Sequence, residues 1–184
     1  FALVDADRKN GRFRVHRSAY KSPEDFEREK KLIFDKCWLY VGHRTEIPNP
    51  SDFVLRTVGG RNIIFNRDRK GQIHVLINAC THRGATVCRE NRGNSKMFTC
   101  PYHGWAFDNG GTLVSTFSNE GYRKDLNSDG RLNLPRPALV DNYRGFYFLN
   151  YNPKAISLSD YLAGAKDVID SYCDQAAGGD EDMY

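Results

Sequence analysis

The chain has 184 residues, a formal net charge of +4 and 40% apolar residues. That is enough for one core with some decoration; it contains no 18-residue apolar run to span a membrane, no signal-like apolar opening, and too little charge to mark a nucleic-acid partner. Its five cysteines, Cys37, Cys80, Cys88, Cys100 and Cys173, are an odd count that fits a reducing cytoplasm better than a disulfide framework.

Residues 1–20 are rich in Arg and Lys without a clear period and read as an arm. Ser22-Pro23 starts a helix, with Ser22 as the cap, Pro23 in the first turn, and Glu24 and Asp25 complementing its dipole. Phe26, Ile33, Phe34, Cys37 and Trp38 recur at helical spacing, so the helix is expected to run to about residues 40–42 as one apolar stripe. From Asp52 the period becomes two. Residues 53–58, 62–66 and 73–78 read as strands, joined by a Gly59-Gly60 hairpin and a turn at Asp68–Gly71. Residues 97–99 and 104–107 are short strands, Asp108-Asn109-Gly110-Gly111 is a turn, and 112–116 is a further strand. Residues 117–137 read as polar loop and 143–151 as one late strand. Ser157-Leu158-Ser159-Asp160 resembles a capping box, followed by one helical face of Leu158, Tyr161, Leu162, Ala165, Ile169 and Tyr172. The expected fold is mainly β and antiparallel, with a helix on each flank. It divides into an arm and helix over 1–45, a ligand-bearing β domain over 46–152, and a C-terminal helix and tail over 153–184. The chain opens at Phe1 without a Met and closes on an acidic tail, which reads as a piece of a longer polypeptide.

Two short clusters hold most of the chemical information: Cys80-Thr81-His82 and Cys100-Pro101-Tyr102-His103. Each pairs a thiolate with an imidazole, and 17 residues separate His82 from Cys100. Two thiolates and two imidazoles can hold a two-iron two-sulfur centre, with sulfur on one iron and nitrogen on the other. A tetrahedral zinc site uses the same residue types, but usually groups both thiolates in one cluster and both imidazoles in the other. A Cys80–Cys100 disulfide is the third reading, disfavoured in a reducing compartment. Cys88 reads as a small buried hydrophobe rather than a ligand. Arg83, Arg89, Arg92 and Lys96 face a single acid, Glu90, in the stretch around these clusters, a basic run able to steer an acidic electron donor.

The stretches Cys80-Thr81-His82-Arg83-Gly84 and Cys100-Pro101-Tyr102-His103-Gly104-Trp105 resemble the Rieske domain of aromatic-ring-hydroxylating oxygenase large (alpha) subunits. The resemblance runs over about residues 20–160 and extends to Trp38–His43 and Tyr143–Phe146. It implies a Rieske-type antiparallel β-sandwich with a cluster-binding subdomain. It also implies a 2Fe-2S cluster held by Cys80, His82, Cys100 and His103, with the imidazoles binding through Nδ1 and Arg83, Tyr102 and Trp105 surrounding them. Respiratory Rieske proteins carry a bracing Cys where this chain has Ala85 and Tyr102, and a Ser where it has Trp105. The resemblance therefore implies a potential near the low end of the Rieske range, on the order of −150 mV.

By the same resemblance, a ferredoxin or flavin reductase donates electrons. His103 passes them to an acidic residue of a neighbouring subunit, and a mononuclear Fe(II) site then oxidises an aromatic substrate. An alpha-subunit trimer, with or without small beta subunits, and a cytoplasmic location follow as expectations. A free-standing Rieske ferredoxin and a zinc-stabilised binding module are the alternatives. One departure stands out: no His follows His103. His16, His43 and His74 make no plausible partners for the two-His, one-carboxylate triad of such an iron, so the mononuclear iron and the aromatic substrate are expected in a domain absent from this chain.

Overall fold

The computed structural model describes residues 3–117, 119–123 and 125–181, apart from the side chain of Asn119. The arm is not formless: β1 (Val4–Asp7) and β2 (Arg12–Val15) pair as an antiparallel hairpin. Ser22 then caps α1 (Pro23–Glu29), accepting from Asp25 N at 3.2 Å. The helix widens into a π turn over Lys30–Phe34 and ends there, short of the expected 40–42. The chain continues as strand β3 (Leu39–His43). Ladder pairing explains the difference, since β3 is bonded into a sheet and Val41 is buried there. The anticipated stripe also splits. Phe26 and Ile33 are 51% and 48% exposed, whereas Trp38 is buried and donates to Ile156 O at 2.9 Å.

β4 (Asp52–Val58), β5 (Arg61–Arg67), β6 (Ile73–Ile77) and β7 (Arg92–Asn94) form the central antiparallel sheet in the order β6-β5-β4-β7. Successive residues of a strand point to opposite faces, and here both faces are covered. Phe53, Ile64 and Leu76 enter one core together with Cys80, Cys100, Trp105 and Phe107. Val54, Ile63, Phe65 and Val75 enter a second core with Val41, Ile47 and Leu149. The unbroken apolar run Ile63-Ile64-Phe65 in β5 follows from this: each of the three is fully buried, on alternating sides. Such burial stabilises by roughly 2 kcal/mol per large side chain, which makes the sheet a firm base for the loops above it.

β8 (Met97–Thr99), β9 (Ala106–Asp108) and β10 (Leu113–Ser115) make a small sheet in the order β10-β9-β8 on the first core. β11 (Leu139–Tyr143) and β12 (Phe146–Asn150) join β3 on the second. The late strand expected over 143–151 is thus β12, which begins only after a turn at Arg144-Gly145, and its partner β11 lies almost wholly before the expected range. After Ser157, whose hydroxyl accepts from Asp160 N at 3.1 Å, α2 (Leu158–Leu162) and α3 (Ala165–Gln175) replace the single expected helix. They break at Ala163, which has φ +44°. Leu158 is buried, while Tyr161 and Tyr172 are exposed, so the proposed common face is not one. Arg144 pins α3 and the turn after it through Asp170, Asp174 and Asp180 at 3.3, 2.7 and 2.7 Å.

Candidate metal centre

Two hairpin-like loops meet at the end of the first core. β6 runs straight into loop 80–85, and loop 100–105 closes the β8–β9 hairpin. Their backbones are built alike. Cys80 N donates to Ala85 O at 2.8 Å and Gly84 N to Cys80 O at 2.7 Å. Cys100 N donates to Trp105 O at 2.7 Å and Gly104 N to Cys100 O at 2.9 Å. In both loops the glycine four residues after the Cys adopts a left-handed conformation, with φ +73° at Gly84 and +69° at Gly104. An L side chain is strained in that region, which is why a Gly stands at the matching place in each motif.

This frame draws the cysteine side chains inward. Cys80 and Cys100 are 3% and 2% exposed, and both are free thiols, so the disulfide reading does not hold. Burial pushes the Cys80 thiol up from its ordinary value. The His82 and Arg83 backbone N–H groups pull it partly back, and the adjacent Cys100 pushes it further up. The imidazoles lie nearer the surface, their ring centres 4.6 Å apart. Burial, then the neighbouring His82 and Arg83, lowers the pKa of His103, favouring the neutral imidazole that can ligate a metal. His82 Nδ1 is buried without a hydrogen-bond partner. A buried polar nitrogen with no partner is costly and fits an atom that awaits a metal. Among the described residues no group of three His, Cys, Asp or Glu is placed to hold a single ion. A cluster taking two protein ligands per iron needs no such trio.

Of the surrounding residues singled out from the sequence, Trp105 is buried and stacks on the His82 ring, centres 4.7 Å apart and planes 10° apart. Tyr102 is 59% exposed and lies against His103 at 3.8 Å. Arg83 is exposed and close enough to His103 to affect its charge. The rest of the basic run is dispersed: Arg89 and Arg92 line a separate groove beside the buried Cys88, with Phe53 and Met97. His43 and His74 are both buried and both partnered. His43 bonds Thr45 Oγ1 at 2.8 Å and the Arg144 carbonyl at 3.1 Å, and His74 bonds Asp68 at 2.9 Å.

Sequence reasoning missed four residues that shape the site. Phe117 and Tyr122, from the stretch read as polar loop, join Tyr102, His103 and Trp105 around an open cleft of about 640 Å³. Thr81 donates to Leu132 O at 2.6 Å, fastening the first loop to that same stretch. Buried Asn78 accepts from Val87 N and Cys88 N at 3.1 and 2.9 Å and donates to Cys88 O at 2.7 Å, fixing the exit of the first loop. Two aromatics five residues apart in a polar stretch were the available signal.

Comparison with known proteins agrees with this geometry. The profile of the Rieske [2Fe-2S] domain family matches residues 37–124. The chain is 37% identical over 177 residues to the 2-halobenzoate 1,2-dioxygenase large subunit of Burkholderia cepacia, covering 95% of this chain and 38% of that subunit. Its structure is similar to naphthalene 1,2-dioxygenase from Rhodococcus sp. bound to indole, with TM-score 0.74 and 38% identity over 85% of this chain and 35% of that one. A quaternary ammonium Rieske monooxygenase, described with insights into inter-subunit electron transfer, matches with TM-score 0.73 and 30% identity, over 86% of this chain and 42% of that one. The chain spans about two fifths of the length of the curated relatives it matches. No helix among the described residues is long and apolar enough to cross a membrane.

Proposed function

Since this chain belongs to the Rieske domains of ring-hydroxylating oxygenase large subunits, we propose that Cys80 and Cys100 bind the inner iron of a [2Fe-2S] cluster and His82 and His103 the outer one through Nδ1. The observation that supports this most is the matched pair of loops, with two inward thiols and a His82 Nδ1 that has no protein partner. When bound, the cluster stores and releases one electron, and a mononuclear Fe(II) held elsewhere in the large subunit activates dioxygen. The chain's own residues hold the thiolates in a low-dielectric pocket, keep the imidazoles near the surface and shield one side with Trp105. The whole subunit, on this reading, hydroxylates an aromatic ring in the cytoplasm as an alpha trimer, with or without small beta subunits. Residues 46–152 form the electron-transfer unit, 1–45 lead into it, and 153–184 lead out of it toward the catalytic half.

A ferredoxin or flavin reductase supplies the electron, guided by Arg83 at the edge of the imidazole face. Long-range attraction between exposed charges is screened by salt. Arg83→Glu therefore slows reduction by an acidic donor several-fold at low ionic strength and little at high ionic strength, measured by stopped-flow bleaching. Arg92→Glu, from the separate groove, has the smaller effect. Equal rates for wild type and Arg83→Glu remove the docking role. The reading as a whole is tested by EPR on the reduced protein. A red-brown sample with a low average g supports it, and a colourless, EPR-silent sample containing zinc overturns it.

A further inference from the structure

We propose that Trp105 is a positioning residue for the cluster: its indole, contributed by the second loop, sets the ring plane of His82 on the first. The proposal rests on the reading of His82 as a ligand. A ligating His is usually oriented by a hydrogen bond from its other ring nitrogen. The orienting contact found at His82 is a face-to-face stack, 4.7 Å between centres and only 10° between planes. Trp105 is fixed at both its backbone and its ring. Its backbone carbonyl accepts from Cys100 N at 2.7 Å, and the Tyr122 ring meets the indole edge-on at 6.2 Å and 83°. One residue thereby links the backbone of one thiolate ligand to the ring of the opposite imidazole ligand, bracing the two loops across the centre. His103 has a different neighbour. Its ring tilts by 35° against Tyr102, the exposed residue just before it in sequence. The two imidazoles thus have unequal support: His82 is stacked on buried Trp105, whereas His103 meets the edge-on His82 ring, 4.6 Å away, and exposed Tyr102.

The test compares Trp105→Phe, which keeps a stacking ring, with Trp105→Leu, which keeps apolar bulk alone. In the metal-free wild-type protein, the ring current of the indole shifts the His82 carbon-bound ring protons upfield in NMR spectra. Trp105→Phe retains part of that shift and Trp105→Leu abolishes it. After anaerobic reconstitution, Trp105→Leu loses its cluster to a chelator about tenfold faster than wild type, the lower end of the usual effect of removing a ligand's outer support. Its reduced EPR signal also changes rhombicity, while Trp105→Phe stays within about twofold and keeps the wild-type line shape. Tyr122→Ala, which frees the indole from outside, moves both readouts in the same direction by less and serves if Trp105→Leu fails to fold. Unshifted His82 protons in the wild type overturn the proposal. So does a cluster in both Trp105→Leu and Tyr122→Ala with wild-type loss rate and line shape. Wild-type protein that shows the upfield shift yet takes up no iron overturns the ligand reading, and the proposal falls with it.

Discussion

Loop 80–85 and loop 100–105 solve the same problem with one backbone design. Each closes by the same two hydrogen bonds around a buried Cys, and each turns at a left-handed Gly four residues on. They differ in where the histidine sits, two residues after Cys80 and three after Cys100, and in what surrounds it. Both line the open cleft, but His82 lies under buried Trp105 and His103 beside exposed Tyr102. The frame common to both loops places sulfur, where burial matters most. The difference gives one half-buried imidazole a buried stacking partner and the other an exposed one.

The sharpest way to break the comparison is to swap the ligand chemistry on one loop. His103→Cys keeps a cluster but moves its potential from roughly −150 mV toward the roughly −400 mV of all-Cys centres, followed by redox titration of the visible spectrum. An unchanged potential contradicts the ligand role of His103.

A second change tests whether the shared glycines do the same work. Gly84→Ala strains the left-handed turn but meets open space, so it costs about 1 kcal/mol, a fall in Tm of about 2–4 °C. Gly104→Ala carries the same strain and also brings Cβ to 3.3 Å from Phe117, so it lowers Tm further. Thermal unfolding of the two variants that gave the reverse order would contradict the packing of Phe117 on the second loop.

The smallest effect is a control far from both loops. Hydrogen bonding to Arg144 holds the Asp180 carboxyl below its ordinary value of 3.8, despite partial burial. A depressed carboxylate contributes stability above its unfolded pKa and loses it as pH falls through the lower folded value. The protection of α3 amides, after division by the intrinsic exchange rate at each pH, should therefore fall only below about pH 4. A loss of protection beginning near neutrality would contradict the clamp.

How far the sequence could be read follows from the range of the interactions. The two loops were legible because Cys, His and Gly at fixed short spacing act within one turn of chain. The strands β4, β5 and β6 were legible because apolar residues and a Gly59-Gly60 hairpin mark them locally. β3 was not, because Trp38 and its neighbours also fit a helical period; pairing with β12, more than a hundred residues away, decides the matter. The turn at Arg144-Gly145 lay inside an otherwise strand-like run, and Arg144 adopts φ +49°, which its residue type does not announce. The walls of the cleft were hidden for the same reason as β3. Phe117 and Tyr122 acquire their role from contacts with Gly104 and Trp105, not from a local pattern.

The account depends on four side chains gripping a pair of bridged irons, and the direct measurement is chemical analysis of the freshly isolated chain. It predicts two irons and two acid-labile sulfides per chain, lost together on replacement of Cys80 or Cys100 by Ala. Protein that contains neither iron nor sulfide, and acquires neither on anaerobic reconstitution, would contradict it.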